Sequence, residues 1–302
     1  MRQEGNREKG STILLSMWAL LILSAAVFAW ARLIDARIDA AAEANLGLEA
    51  RALAHTGVQI ALHPMVTRAT PALSGTTGYE RSYHATIVGE GSKLNISFLI
   101  AGEDPVKLGI LKAYLELRGL DFQQRERFVD CLLDWVGPPG TRHMHGAQED
   151  ENYKPSNKPL TSLDEIPLVK GSEPLVAYEG WRDDLTLWSN GPLDLESAPA
   201  EFIALIPGIG EARAEQFVRM RQGADRIDGT DDDYQFNNVS EALTAMGLTQ
   251  EQQSQISHLV TYRDTTIRVD SVGQAGNVQR KVQVIARKPT GQTPQILLWT
   301  ER

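Results

Sequence analysis

The sequence predicts an α+β protein, in which a long N-terminal helix packs on a small antiparallel sheet and an all-helical domain is inserted into that sheet. Three observations carry the prediction. An uncharged apolar run fills positions 11–31, strand-like alternation occurs both early and late in the chain, and helical periodicity fills the stretch between. Strands at both ends must share one sheet, because either half alone would be marginal. The 302 residues are 42% hydrophobic and 23% charged, which excludes a largely disordered chain. Acidic residues outnumber basic ones, 39 to 30, for a net charge of -9. That balance disfavours sequence-independent binding to nucleic acid, which needs clustered Lys and Arg. A single cysteine, Cys131, excludes an intramolecular disulfide and a Cys-rich zinc site.

The helix comes first. Residues 1–10 are a polar leader carrying Arg2, Arg7 and Lys9 with Glu4 and Glu8. From Ser11 no charge appears before Arg32, long enough for a helix to cross roughly 30 Å of hydrocarbon over about 12–31. Leu33, Ile34, Ile38, Leu46, Leu48, Leu53, Val58 and Ile60 then recur at helical intervals until Pro64, so the helix spans 11–63. Three readings fit this terminus. A cleaved secretory signal would use Ala29 and Ala31 on the far side of the run. A plain anchor would stay uncut. A third reading looks to the near side, where Lys9-Gly10-Ser11-Thr12 resembles a type IV prepilin signal, cut after the glycine by a membrane peptidase.

The sheet part is expected over 64–103 and 264–302. A Thr/Ser/Gly-rich loop at 70–78 leads to strands at 82–88 and 94–100, joined by a turn at Gly89-Glu90-Gly91-Ser92. Strands return at 266–273, 280–288 and 295–300. Between them, 104–263 reads as helical, in two SAM-like, helix-hairpin-helix halves at about 104–180 and 190–263. Helices are expected at 106–119 and 123–135, and after a loop at 137–159 another starts at Ser162, with Glu165 completing a capping box. Trp181 and Trp188 lie in a linker before a helical stretch at 193–221. Further helices follow at 239–246 and 249–262.

Three motifs invite functional readings. Pro207-Gly208-Ile209-Gly210 joins two helices in a helix-hairpin-helix, with the glycines permitting the tight turn. Such hairpins either pack as structure or hold a phosphate through nearby bases, here Arg213, Arg219 and Arg221, although Glu211 adjoins the turn. Asp225, Asp228, Asp231 and Asp233 crowd around Gly229; they either wrap a calcium ion or form a solvated acidic turn. His143 and His145, near Glu149, Asp150 and Glu151, lack metal-ligand spacing and read as a solvated loop. No nucleophile elbow or phosphate-binding loop is present, and nothing supports an enzyme.

Taken in order, four segments make the resemblance specific. They are Gly10-Ser11 ahead of the apolar helix with Trp18; Asp134-Trp135 and Gly146-Ala147 flanking a loop; residues 158–165 running on to Leu168-Val169-Lys170-Gly171; and 193–201 with its hairpin. Over essentially its whole length the chain resembles the minor pseudopilin K family of type II secretion systems (general secretion pathway protein K). The resemblance implies a pilin-like fold and a tip position in a short periplasmic filament, whose assembly the subunit helps to start. It implies cleavage between Gly10 and Ser11 by the prepilin peptidase with methylation of the new terminus. It also implies a single pass of the bacterial inner membrane, leader cytoplasmic and C-terminal part periplasmic. The implied partners are minor pseudopilins I and J and the major pseudopilin filament. Most pilin-like subunits carry a glutamate five residues after the cut; here that position is Leu15, as is typical of the K subunit. The family loop after Asp-Trp binds calcium, but Gly137, Pro139 and Gln148 occupy positions where it supplies carboxylates, so that site is expected to be altered. The competing reading is a membrane-anchored helix-hairpin-helix DNA receptor for DNA uptake.

Overall fold

In the computed structural model, residues 5–301 are described apart from 148, 231 and 290. Helix α1 runs unbroken over Gly5–Leu62. From Thr12 it is long and apolar enough to cross a membrane, with mean hydropathy reaching 2.3. Its C-terminal part buries Ala50, Leu53, Ala54, Val58, Ala61 and Leu62, one face at three- and four-residue intervals. Lys288 ends the helix from outside: its ammonium donates to the carbonyls of Ala61 (2.9 Å) and Val66 (2.7 Å).

That face lies on a five-stranded antiparallel meander of β1 (Ser74–Gly78), β2 (Arg81–Gly89), β3 (Thr266–Ala275), β4 (Val278–Arg287) and β5 (Gln295–Glu301), in that order. Val269, Val282, Val284 and Ala286 alternate toward the helix. The approach is close. The Ser271 hydroxyl donates to the Ala54 carbonyl at 2.8 Å, and a Cβ on Gly273 would collide with the backbone of Ala50 and Ala54. On the helix side, a Cβ on Gly57 would strike the Ser271 hydroxyl. At the far edge Glu301 takes Arg51 (2.7 Å), His55 (3.0 Å) and the Trp299 indole (2.9 Å). The bonds from Arg51 and Trp299 hold its carboxyl down at about 2.

β2 and β3 are neighbours in the sheet, from Arg81 opposite Ala275 to Gly89 opposite Ile267. Everything between Gly89 and Thr266 is therefore an insertion between two paired strands. It forms a head around helices α2 (Pro105–Leu117), α3 (Phe122–Val136), α4 (Glu211–Arg221), α5 (Val239–Ala245) and α6 (Gln250–Ile256). One continuous core runs from Leu94 through Tyr114, Phe128, Trp181 and Phe217 to Val260. Asp104, Asp121 and Thr249 cap α2, α3 and α6 with their side chains. Two short parallel bridges tie the head together: Leu94–Asn95 pairs with Leu185–Thr186, and Leu193–Asp194 with Val260–Thr261.

Several elements differ from the sequence expectation. The hairpin of 82–88 with 94–100 does not form. Asn95 caps a helical turn, accepting from Phe98 N at 3.0 Å, and Ile96, Leu99 and Ile100 face the head core at helical spacing. Tertiary burial overrides the β propensity of the isoleucines. The expected loop at 70–78 instead contains β1, whose exposed residues carry no hydrophobic alternation and are held by pairing to β2. In 193–221 the sequence predicts two helices joined at Pro207-Gly208-Ile209-Gly210; a bridge, a single turn at Ala200–Ile203 and α4 share the stretch, so the first of the two is only one turn long. Ser162 and Glu165 do form a capping box, but on a 3-10 helix at Leu163–Leu168, since Pro167 lies inside it.

Candidate functional site

The sites follow the chain from the apolar helix to the head. Gly10 and Ser11 lie within the continuous α1, whose span from Thr12 is exposed along its apolar length. Leu15 is 70% exposed and gives this stretch no carboxylate.

The turn Pro207-Gly208-Ile209-Gly210 lies between the Ala200–Ile203 turn and α4. Gly208 (φ +82°) and Gly210 (φ +74°) adopt backbone that L side chains rarely take, while Ile206 and Ile209 are buried beneath. The three arginines that could have held a phosphate all have protein partners. Arg213 donates to the Gly208 carbonyl at 3.1 Å, and Arg219 pairs with Glu215 at 2.8 Å. Arg221 is only 2% exposed; it donates to the carbonyls of Leu195 (3.0 Å) and Ala198 (2.9 Å) and grips both oxygens of Asp228. It is a structural arginine that ties α4 to the segment entering it. Glu211 in the first turn of α4 adds negative charge where a phosphate would sit.

The acidic turn is organised by its own hydrogen bonds. Asp228 serves Arg221 and Gln222, Asp225 accepts from Ile227 N (2.8 Å), and Asp233 accepts from Gly229 N (2.7 Å). Asp231 lies outside the described residues. Asp232, which the sequence reading passed over, binds most of the turn. It accepts from Thr230 (2.8 Å) and from the backbone of Ala224 (2.7 Å) and Asp225 (3.2 Å), and these bonds hold its carboxyl below the ordinary range. Among the described residues no group of three or more His, Cys, Asp or Glu is disposed to hold a metal ion.

The loop after α3 departs from a solvated loop. His143 sits between Asp134 (Nδ1 to Oδ1, 2.7 Å) and Glu103 (Nε2 to Oε2, 3.2 Å), and His145 faces Asp130 at 3.1 Å. The sequence held one signal for this arrangement: Asp130 and Asp134 are four apart, on one face of α3, ahead of a His-x-His. Gly137 and Pro139 bring no side-chain oxygen to the loop, and Gln148 lies outside the described residues.

A long helix with an apolar N-terminal half, laid on an antiparallel sheet and bearing further helices, is a pilin-like architecture. Among solved structures the chain is similar to a chain of the GspK-GspI-GspJ complex from the enterotoxigenic Escherichia coli type 2 secretion system. The two are 12% identical with a TM-score of 0.59, over 88% of this chain and 99% of that chain. That coverage exceeds what either the sheet part or the head supplies alone, so the shared fold takes in both. In the sequence comparisons, no family model and no curated protein matches the chain.

Proposed function

We propose that this chain is a non-enzymatic, membrane-anchored minor pseudopilin at the tip of a type II secretion pseudopilus, where it helps start assembly of the filament. The observation that carries the reading is the fold likeness across both the helix–sheet part and the inserted head. α1 anchors the protein in the inner membrane with a single pass, leader in the cytoplasm and head in the periplasm. The prepilin peptidase removes residues 1–10, and the new terminus at Ser11 is methylated. The partners are minor pseudopilins I and J, with the major pseudopilin filament below.

Two physical arguments support the tip. Leu15 offers no carboxylate to the amino terminus of a subunit stacked above it, and an unpaired charge in hydrocarbon is costly. The head also widens the molecule directly at the ends of β2 and β3, obstructing a subunit placed on top while leaving α1 free below. The DNA-receptor reading gains no support, since Arg213, Arg219 and Arg221 are engaged within the protein.

The test is made on protein extracted from membranes of cells that assemble the filament. Its mass should begin at a methylated Ser11, and label attached to the head should mark single filament ends together with I and J. Label distributed along filaments would overturn the tip reading; a start at Met1 or Arg32 would overturn the processing.

A further inference from the structure

The resemblance makes the loop after α3 a calcium loop, and the residues of this chain do not fit that role. Positions 137 and 139 are glycine and proline, and no metal-holding group exists among the described residues. A hard cation of this kind needs six to eight oxygens at about 2.3–2.6 Å. Two buried oxygens of this region lack a partner: the Tyr153 hydroxyl, which carries no charge, and Asp134 Oδ2, on a residue 4% exposed. The Asp134 oxygen does not open into a cradle: Gly146 lies against it, so closely that a Cβ there would collide with the carboxyl.

The loop is fastened by other means. Asp134 Oδ1 accepts from the backbone N–H of His143 at 3.0 Å and faces its ring Nδ1 at 2.7 Å. The opposite ring nitrogen faces Glu103 at 3.2 Å, in the segment just before α2. Carboxylates only accept, so both contacts are hydrogen bonds together only when the imidazole carries two protons. The same ring then supplies the positive charge that a buried carboxylate with an unpartnered oxygen needs. His145 repeats the pattern one turn back on α3, its backbone N–H (2.9 Å) and Nδ1 (3.1 Å) both at Asp130 Oδ2.

We propose that a histidine–carboxylate latch centred on His143 takes the place of a divalent cation in this loop, so that the loop stays closed without calcium and opens as pH rises. The inference rests on this chain's own side chains and stands whether or not the protein works in secretion.

The groups around the ring set the direction. Asp134 comes from α3 and Glu103 from the segment before α2. Close to Asp134 are Cys131 and Tyr153, both pushed up by burial and therefore neutral near pH 7. Farther along, Lys170 pairs with Asp150 at 2.8 Å. Burial pulls the His143 pKa down, but hydrogen bonds and charge from Asp134 and Glu103 outweigh it, and the net shift is upward. A histidine raised in the folded state contributes its full stabilisation below its unfolded value of about 6.5. That contribution is lost as pH climbs through the raised folded value, so the latch holds near and below the unfolded value and loosens as pH rises past the folded one.

The test is hydrogen exchange across residues 137–159 in the detergent-solubilised full chain, corrected for intrinsic rate, over a pH series with calcium or chelator. Protection should be equal in calcium and chelator and should fall as pH rises. His143→Gln should flatten the pH dependence and speed exchange in the loop by roughly tenfold at pH 6, the scale of losing one hydrogen bond to a charged group. Amides of α2 and α3 serve as the control that the variant is folded. Glu103→Gln removes an exposed carboxylate and should shift the opening midpoint to lower pH while leaving the head folded. Loss of protection in chelator would overturn the proposal, as would pH profiles for both variants that superimpose on the parent.

Discussion

Against the sheet, α1 presents Ala50, Ala54, Gly57, Val58 and Ala61, whereas the head closes over Tyr114, Phe128, Trp181 and Phe217. The first interface is thin and made of small residues, so its energy comes from how closely two backbones approach. The second is thick and aromatic, and its energy comes from apolar area removed from water. The two also depend on one another unequally. β2 and β3 pair across an insertion of about 175 residues, and closing a disordered loop of that length would cost on the order of 4–5 kcal/mol. A folded head brings Gly89 and Thr266 together in advance. Bonds at the base hold them there: Asp264 accepts from Asn190 N (3.0 Å) and Thr266 N (2.8 Å), and Asp194 accepts from Arg263 N (2.8 Å). The sheet therefore leans on the head more than the head leans on the sheet.

Removing bulk from the head should have the largest effect. Phe128→Ala opens a cavity at a fully buried position and should cost about 3–5 kcal/mol. The unequal dependence predicts that exchange protection falls in β2 and β3 as well as in α2 and α3; a loss confined to the head would break the comparison. Adding bulk at the sheet comes next. Gly273→Ala forces a methyl into the backbone of α1, for roughly 1–3 kcal/mol of overpacking. Here protection should drop along α1 and the sheet while the head stays as it was, and a head that loosens equally would show the coupling to be symmetric.

The acidic turn sharpens the picture at the smallest scale. Asp228→Asn weakens the partner of the buried Arg221 and should cost about 1 kcal/mol, read as a lower Tm with calcium or with chelator alike. In the parent chain, Asp225, Asp228, Asp232 and Asp233 already accept from protein donors, so added calcium is expected to leave Tm unchanged. A rise in Tm with calcium, absent in chelator, would mean that a cation displaces those bonds and stabilises the folded state by binding.

Much of the fold was legible because its signals are local. The uncharged run, the helix stop near Pro64, the capping box of Ser162 and Glu165 and the late strands each declare themselves within a few residues. The failures occur where a partner distant in sequence decides. Leu94–Ile100 alternates like a strand, yet the strand that would pair with it is already taken: β2 lies between β1 and β3. The sequence left Arg221 open as a structural or a phosphate-binding residue; carbonyls at 195 and 198 and the carboxylate of Asp228, which enclose it, decide for the structural role. His143 read as solvated because Glu103 lies 40 positions earlier in the chain.

By itself the sequence determined the long helix, its apolar N-terminal half, the absence of a carboxylate at Leu15 and the splitting of the strands around a helical block. Those properties are set by hydrophobic period and residue type, which act within a turn or two of the chain. Only the tertiary structure decided that β2 pairs with β3, that Gly273 must let α1 approach the sheet, and that His143 joins Asp134 to Glu103. Each of those depends on which groups meet in space. A carboxylate, an imidazole or a missing methyl takes on its role only when its neighbour arrives, and for these residues the neighbour comes from another part of the chain.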